Sequence, residues 1–366
     1  MTQAWVGPGG GLDTSPAGGE AVSSPSASGP SSSPPAAEIG PAETGPAEAG
    51  PAQTGPAHVV NALVTQVSGV VLGDPTPIRI AAAAFLAGGH VLFEDMPGVG
   101  KTLLAKALAA SIGGTFGRIQ GTPDLLPSDL TGVTFLEDDV REWTFRPGPL
   151  FNNVVLVDEL NRATPRTQSA LLEAMAEGQV TVDGTTHPLP DPFLVVATQN
   201  PLGGDLGTFP LVGGQRDRFS VSLSMGLPGR AAELQVLDGS GGDPALEHLT
   251  PTADLATWRR LRGDLESVYL HPVVATYALD VVDNVRSRTA SRQPISTRAA
   301  LALIRLARAH AAAVGRTYVG PDDVQAVAVA ALAHRIVDVT NDDLPTARTW
   351  LGEFLRQVPV PPMPTS

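Results

Sequence analysis

The sequence predicts an α/β protein: a doubly wound parallel sheet followed by a small all-helical domain. Two observations carry this reading. From about residue 58 to residue 228, short β-rich apolar runs alternate with amphipathic helical runs, the pattern of a parallel sheet covered by helices on both faces. After about Leu227 only helical periodicity remains, so a compact helical domain follows.

The elements can be justified in order. Residues 1–57 contain no Lys or Arg and hardly any large apolar side chain, against a Gly/Pro/Ser/Ala background that cannot bury enough surface to offset chain entropy. They are expected to be a disordered tail. Within them Gly40-Pro41-Ala42-Glu43-Thr44 recurs with small changes as Gly45-Pro46-Ala47-Glu48-Ala49 and Gly50-Pro51-Ala52-Gln53-Thr54, a period too short for a solenoid. Strands are expected at residues 90–94, 116–120, 153–157, 193–198 and 219–223. Residues 132–135 with 140–145, and 180–182 with 185–187 around Asp183-Gly184, read as two protruding hairpins. Helices are expected at residues 252–265, 273–286, 297–313 and 321–331 of a helical domain spanning 229–357, with 358–366 as a second flexible tail.

Composition narrows the chemistry. The 366-residue chain has no Cys, which excludes disulfides, thiolate metal centres and a Cys nucleophile. No basic and apolar leader opens it, and no apolar run approaches the ~18 residues of a membrane span, so a cytoplasmic protein without a membrane segment is expected. The net charge is −13, and the only lysines are Lys101 and Lys106. A chain this acidic lacks the general phosphate attraction of nucleic-acid binders, and no nucleic-acid partner is expected. The seven histidines have no ligand-like spacing.

Directly after the strand at 90–94 comes Asp95-Met96-Pro97-Gly98-Val99-Gly100-Lys101-Thr102-Leu103, opening a helical run. A strand, a Gly-containing loop and a helix start form a phosphate-binding loop. Gly98 and Gly100 let the backbone curl so that its N–H groups face phosphate, and the helix N-terminus adds partial positive charge. Lys101 is suited to the β- and γ-phosphates and Thr102 to Mg2+, with Pro97, Val99 and Leu103 completing the ATP-binding run. The strict pattern begins with Gly, whereas Asp95 stands here and adds a negative charge at the loop edge.

A second apolar strand, Val154-Val155-Leu156-Val157, ends in Asp158-Glu159. Carboxylates there lie where open α/β sheets bind ligands. Asp158 is expected to hold Mg2+ and Glu159 to orient and deprotonate the attacking water. A further apolar run delivers Asn200 to the same edge, where an amide can fix the water or sense the γ-phosphate. Arg218, before the last strand, and Arg298, at a helix start in the helical domain, are suited to stabilise phosphoryl charge.

Together these motifs resemble the MoxR family of AAA+ ATPases over roughly residues 71–335. The most specific runs are Glu94 to Thr102, Thr122-Pro123-Asp124-Leu125-Leu126-Pro127-Ser128-Asp129, Asp158-Glu159-Leu160-Asn161-Arg162-Ala163 and Ala197-Thr198-Gln199-Asn200-Pro201. The resemblance implies a ring, usually a hexamer, with ATP at each subunit interface. It implies Lys101 and Thr102 as Walker A, Asp158 and Glu159 as Walker B, Asn200 as sensor 1, Arg298 as sensor 2 acting in cis, and Arg218 as a finger reaching the neighbour. Leu72 and Gly73 sit where the family contacts adenine. The hairpins correspond to inserts near the ring's centre, with Trp143 more readily a cross-strand anchor than a substrate grip.

The resemblance further implies a chaperone-like ATPase that remodels, assembles or activates a client complex, including by cofactor insertion, through a von Willebrand A domain partner. One departure stands out. The family's Pro-Glu-Ala-Gln-Leu-Asp-Arg-Phe reads Val212-Gly213-Gly214-Gln215-Arg216-Asp217-Arg218-Phe219 here, and the Gly pair should loosen the segment carrying Arg218. A weakly hydrolysing nucleotide-dependent switch is therefore kept as an alternative. A DNA-remodelling motor is a further one, disfavoured by the charge balance of the hairpins: Glu137, Asp138, Asp139 and Glu142 against Arg141 on the first, and Asp183 with His187 on the second.

Overall fold

The computed structural model describes residues 55–137, 142–199, 207–288, 295–337 and 343–362. In chain order the first half contains α1 (Pro56–Val70), α2 (Thr76–Leu86), β1 (Val91–Glu94), α3 (Lys101–Ser111), β2 (Phe116–Gln120) and α4 (Pro127–Thr131). Then come β3 (Gly132–Glu137), β4 (Glu142–Pro147), β5 (Val154–Asp158), α5 (Pro165–Glu177), β6 (Gln179–Val182), β7 (Thr185–Pro188), β8 (Leu194–Gln199), α6 (Gly213–Arg216) and β9 (Val221–Leu223). The remainder is helical: α7 (Arg230–Leu237), α8 (Gly242–Leu246), α9 (Leu255–Gly263), α10 (Pro272–Arg288), α11 (Thr297–Ala313), α12 (Pro321–Ile336) and α13 (Leu344–Leu355).

Strands β1, β2, β5, β8 and β9 form one parallel sheet in the order β2-β5-β8-β1-β9. Every residue of β5 and β8 is buried, which is why both open with four apolar residues before their polar C-terminal ends. Side chains alternate between two layers. Val91, Phe93, Val154 and Leu156 join the core of α1, α2 and α3, whereas Leu92, Val155 and Val157 join the core built on α5. The first of these cores also takes in α11, α12 and α13, so the helical segment shares its interior with the sheet.

The parallel sheet and its helices agree with the expected fold class. Boundaries differ in places. α1 begins at Pro56, two residues inside the expected tail, because a proline with φ preset near the helical value suits a first helical turn. Val358 is buried against the helical core rather than belonging to a free end. The first hairpin strand runs on through Glu137, and the 138–141 tip lies outside the described residues. The β6–β7 hairpin turns at Asp183 (φ 49°) and Gly184 (φ 79°), the left-handed pair of a tight two-residue turn.

Candidate active site

The parallel register sets the site. Glu94 stands beside Gln199, and Gln120 beside Asp158, so the C-terminal ends of four strands meet at one sheet edge. The loop from β1 to α3 turns at Gly98 (φ 86°) and Gly100 (φ 92°), values that strain any residue with a Cβ. A Cβ at Gly98 would meet nothing within 4 Å, so its requirement is conformational and the loop's inner face is open. Lys101 Nζ donates to the carbonyls of Asp95 and Met96 at 2.9 Å each, folding the side chain over the loop. Burial lowers the Lys101 pKa, opposed by the charges of Asp95, Asp158 and Glu159.

A cavity of about 480 Å³ opens at this edge, within the usual range for a small-molecule site. Pro97, Gly98, Gly100, Lys101, Thr102, Leu103, Asp158 and Glu159 line it together, and Lys106 joins them, so both lysines of the chain are here. Val99, Leu72 and Gly73 are not among its lining residues. Leu72 packs instead under Gly241, whose built Cβ would lie 3.1 Å from it, and Gly73 faces Pro228. Asn200 lies outside the described residues.

Both acids after β5 have partners. Arg118 Nε and Nη2 converge on Asp158 Oδ2 at 2.9 Å, and Thr198 Oγ1 reaches Asp158 Oδ1 at 3.4 Å. Glu159 takes a left-handed backbone (φ 53°) secured by its N–H donating to Thr198 Oγ1 at 2.9 Å, which turns the chain sharply off the strand. Its carboxylate pairs with Arg162 Nε at 2.9 Å. Arg118, Gln120, Thr198 and Gln199 are cavity residues that motif reading missed. For the first two a signal existed: in β2, Arg118 and Gln120 are the exposed positions of an alternating strand.

The Asp95 departure has a structural use. Its carboxylate accepts from Ser224 Oγ, from the N–H of Met225 at 2.7 Å and from that of Gly226 at 3.4 Å. The extra charge thereby ties the start of the loop to the segment leaving β9. Beneath it Glu94 accepts from Gln199 and from Ser222 Oγ (3.0 Å); burial raises its pKa, opposed first by the charge of Arg216.

Arg218 and Arg298 are brought together, but away from this cavity. They line a second one with Asp217, Leu301, Ile304 and Arg305. α11 packs against α1, α2 and α12, and its N-terminus lies on the Arg218 side. The finger segment is also firmer than its Gly pair suggested. Gln215 Oε1 accepts from the N–H of Val212 (3.0 Å), Arg216 Nη1 donates to the Val337 carbonyl (3.3 Å), and Arg218 Nη1 donates to the Gly214 carbonyl (2.9 Å). Asp217 accepts from Ser296 Oγ (2.7 Å) and Arg335 Nε (2.8 Å), while Arg335 Nη2 and His334 Nε2 both reach the Phe219 carbonyl.

A phosphate-type loop after β1, two acids at the end of β5 with β8 between the two strands, and a helical segment behind the sheet define a P-loop nucleotide-binding fold of the AAA+ kind. Comparison with known proteins agrees. Residues 90–221 match the ATPase family associated with various cellular activities (AAA), and residues 284–349 match the AAA lid domain. The chain is 44% identical over 274 residues to YeaC of Bacillus subtilis (strain 168), covering 75% of this chain and 85% of that one. It is 37% identical over 299 residues to the chaperone MoxR1 of Mycobacterium tuberculosis, covering 78% of each. A solved structure from Cytophaga hutchinsonii superposes with a TM-score of 0.75 at 33% identity, over 84% of this chain and 96% of that one. The chain belongs to the MoxR family of AAA+ ATPases.

Proposed function

We propose that this chain is an ATP-hydrolysing, ring-forming chaperone that remodels, assembles or activates a client complex, including by cofactor insertion, with a von Willebrand A domain protein as partner. The observation that carries the ring is a separation: the phosphate-type loop and both acids line one cavity, while Arg218 and Arg298 line another. A chain arranged in this way presents its charge-neutralising arginines to the site of a neighbour, not to its own.

In this reading the backbone N–H groups of residues 97–103 and Lys101 hold the phosphates. The Thr102 hydroxyl and Asp158 carboxylate, hard oxygen donors on one cavity, fit Mg2+, which neutralises phosphate charge when bound. Glu159 takes a proton from water as the water oxygen bonds to the γ-phosphorus and the β–γ bridging bond breaks, the electron pair leaving on ADP. Asn200 orients that water, and Leu72 and Gly73 border the adenine. Two hairpins, with Trp143 73% exposed, face the client. Residues 58–228 act as the nucleotide-binding domain and 229–357 as the lid. Among the described residues no helix is long and apolar enough to cross a membrane, and the reading places the ring in the cytoplasm without a nucleic-acid partner.

The deciding experiment is ATP turnover per subunit against protein concentration, with Glu159→Gln and Arg218→Ala alongside. Cooperative turnover lost in both variants is the expected result. Turnover independent of concentration and of Arg218 overturns the composite site.

A second reading, a nucleotide-dependent switch of low basal turnover, is favoured by one observation: Glu159 is paired with Arg162 and Asp158 with Arg118. In that reading both acids are engaged until nucleotide or partner draws them away.

A further inference from the structure

Glu94 is the last residue of β1, the strand that leads into the phosphate-type loop, and its carboxylate is shared between the two neighbouring strands. The side-chain amide of Gln199, at the end of β8, donates to Oε1, and Ser222 Oγ of β9 donates to Oε2 at 3.0 Å. Ser222 Oγ in turn accepts from Arg348 Nη2 of α13 at 3.2 Å. Two guanidinium charges bear on the carboxylate, first that of Arg216 and then that of Arg348, against the like charge of the adjoining Asp95. The sheet order makes this possible: β1 lies between β8 and β9, so one side chain at its end reaches both.

Stability does not account for such a cluster. Arg216 and Ser222 are buried, and charges withdrawn from water return little more than the cost of drying them. What the cluster supplies is placement. Gln199 lines the nucleotide cavity with Thr198, Asp158 and Glu159, and Arg218 lines the second cavity, whereas Glu94 lines neither. Arg216 stands two residues before Arg218, and its Nη1 donates to the Val337 carbonyl at 3.3 Å. One carboxylate thus has a nucleotide-cavity residue on one side and the arginine segment on the other.

We propose that Glu94 is a positioning residue of ATP hydrolysis: through Gln199 it sets the end of β8 in the nucleotide cavity, and through Arg216 and the Ser222–Arg348 link it sets the segment that presents Arg218. It touches neither nucleotide nor the attacking water. The proposal rests on the composite-site reading above and adds the residue that keeps one chain's cavity in register with the arginine it offers a neighbour. With both oxygens engaged, Gln199 and Ser222 are tied to one rigid group, and neither shifts without disturbing the other.

The test separates turnover from stability. Glu94→Gln keeps the side chain's volume and can still accept from Gln199, but removes the charge that Arg216 and Arg348 face. Its kcat is expected to fall roughly 10–100-fold with the KM for ATP within about twofold of the parent's, the mark of lost positioning without lost binding. Denaturant melts should show the same chain less stable, because cations withdrawn from water have lost their counter-charge. Adding Arg216→Gln removes the nearer of those cations. Stability is then expected to return toward the parent's while kcat stays low. Return of kcat together with stability shows a merely structural role and overturns the proposal, as does parental kcat in Glu94→Gln.

Should Glu94→Gln fail to fold, Ser222→Ala is read in its place. Loss of that one hydroxyl is expected to lower kcat roughly three- to tenfold at an unchanged KM, and parental kcat overturns the proposal. Arg218→Ala, measured alongside, keeps the two readings apart. Turnover lost in Arg218→Ala but parental in Glu94→Gln overturns the positioning role alone. Arg218→Ala as active as the parent overturns the composite site and the proposal together.

Discussion

Asp217 accepts a hydrogen bond from Arg335 Nε at 2.8 Å, one residue before Arg218. Its other oxygen accepts from Ser296, the N-cap of the helix whose second residue is Arg298. A single carboxylate therefore ties the segment of Arg218 to the helix start that carries Arg298. Arg335 is only 3% exposed at its side chain, and burial lowers its pKa against the pull of Asp217, so the pair is held by mutual need.

Asp217→Asn is expected to keep the shape of this junction but weaken its grip. Turnover should fall by roughly 10²–10³, toward the loss that removal of a finger arginine produces. ATP affinity of the isolated chain should not change. Asp217→Ala, which leaves Arg335 buried without its counter-charge, should in addition cost roughly 3 kcal/mol in a denaturant melt.

Asp95→Gly restores the strict loop pattern and removes the acceptor of Ser224 and of the Met225 N–H. Leaving those donors unsatisfied should destabilise the fold by roughly 1–3 kcal/mol. Nucleotide binding should persist in fluorescence titration, because the carboxylate is engaged by the segment after β9 and is not the group that the loop offers to phosphate.

Arg162→Ala frees the Glu159 carboxylate from a partly exposed ion pair three residues away. Pairs of this kind hold roughly 0.2–1 kcal/mol, so basal turnover should rise by up to about fivefold. A fall in basal turnover would instead give Arg162 a direct part in the reaction. Glu159→Gln should bind ATP as the parent does and lose roughly 10²–10⁴ in turnover.

His90 is buried at the start of β1 and its pKa is lowered to about 4, chiefly by desolvation. Its Nδ1 accepts from the Val195 N–H at 3.0 Å, so the native ring is neutral, with the Nε2 proton shared with the Met175 carbonyl. The unfolded chain binds this proton near pH 6.5 and the folded chain only near pH 4, so stability falls as the pH drops through that window. At its lower end the loss is about 3 kcal/mol. His334, pushed the same way by burial, adds to the slope. Thermal melts from pH 7 to pH 4.5 should show it, and His90→Asn should flatten the curve.

What the sequence made legible follows physical range. The phosphate loop and the Asp158-Glu159 pair were readable because strand, turn and acid are contiguous, and each strand's apolar run announces its own burial. The second hairpin was readable from Asp183-Gly184, since few residues accept two left-handed positions in succession. The placing of Arg298 beside Arg218 was not legible because it depends on how α11 packs on α1 and α2, far earlier in the chain. The firmness of the finger segment was hidden for the same reason. Its supports, Ser296, Arg335 and Val337, come from helices after the sheet, and local propensity saw only Gly213 and Gly214. The alternation of β2 marked Arg118 as an exposed position, but its role was overlooked because the contact with Asp158 is made across to β5, 40 residues later in the chain.

Lys101 and Lys106 line one cavity and are the chain's whole supply of side-chain amines. An acylating reagent selective for such amines can therefore modify side chains in that cavity alone. Any enzymatic mark that requires lysine, whether an acetyl group or a conjugated protein, must compete with whatever occupies the same space. Occupancy of the cavity is thus written onto the chain's lysine chemistry, and protection from acylation counts filled sites directly.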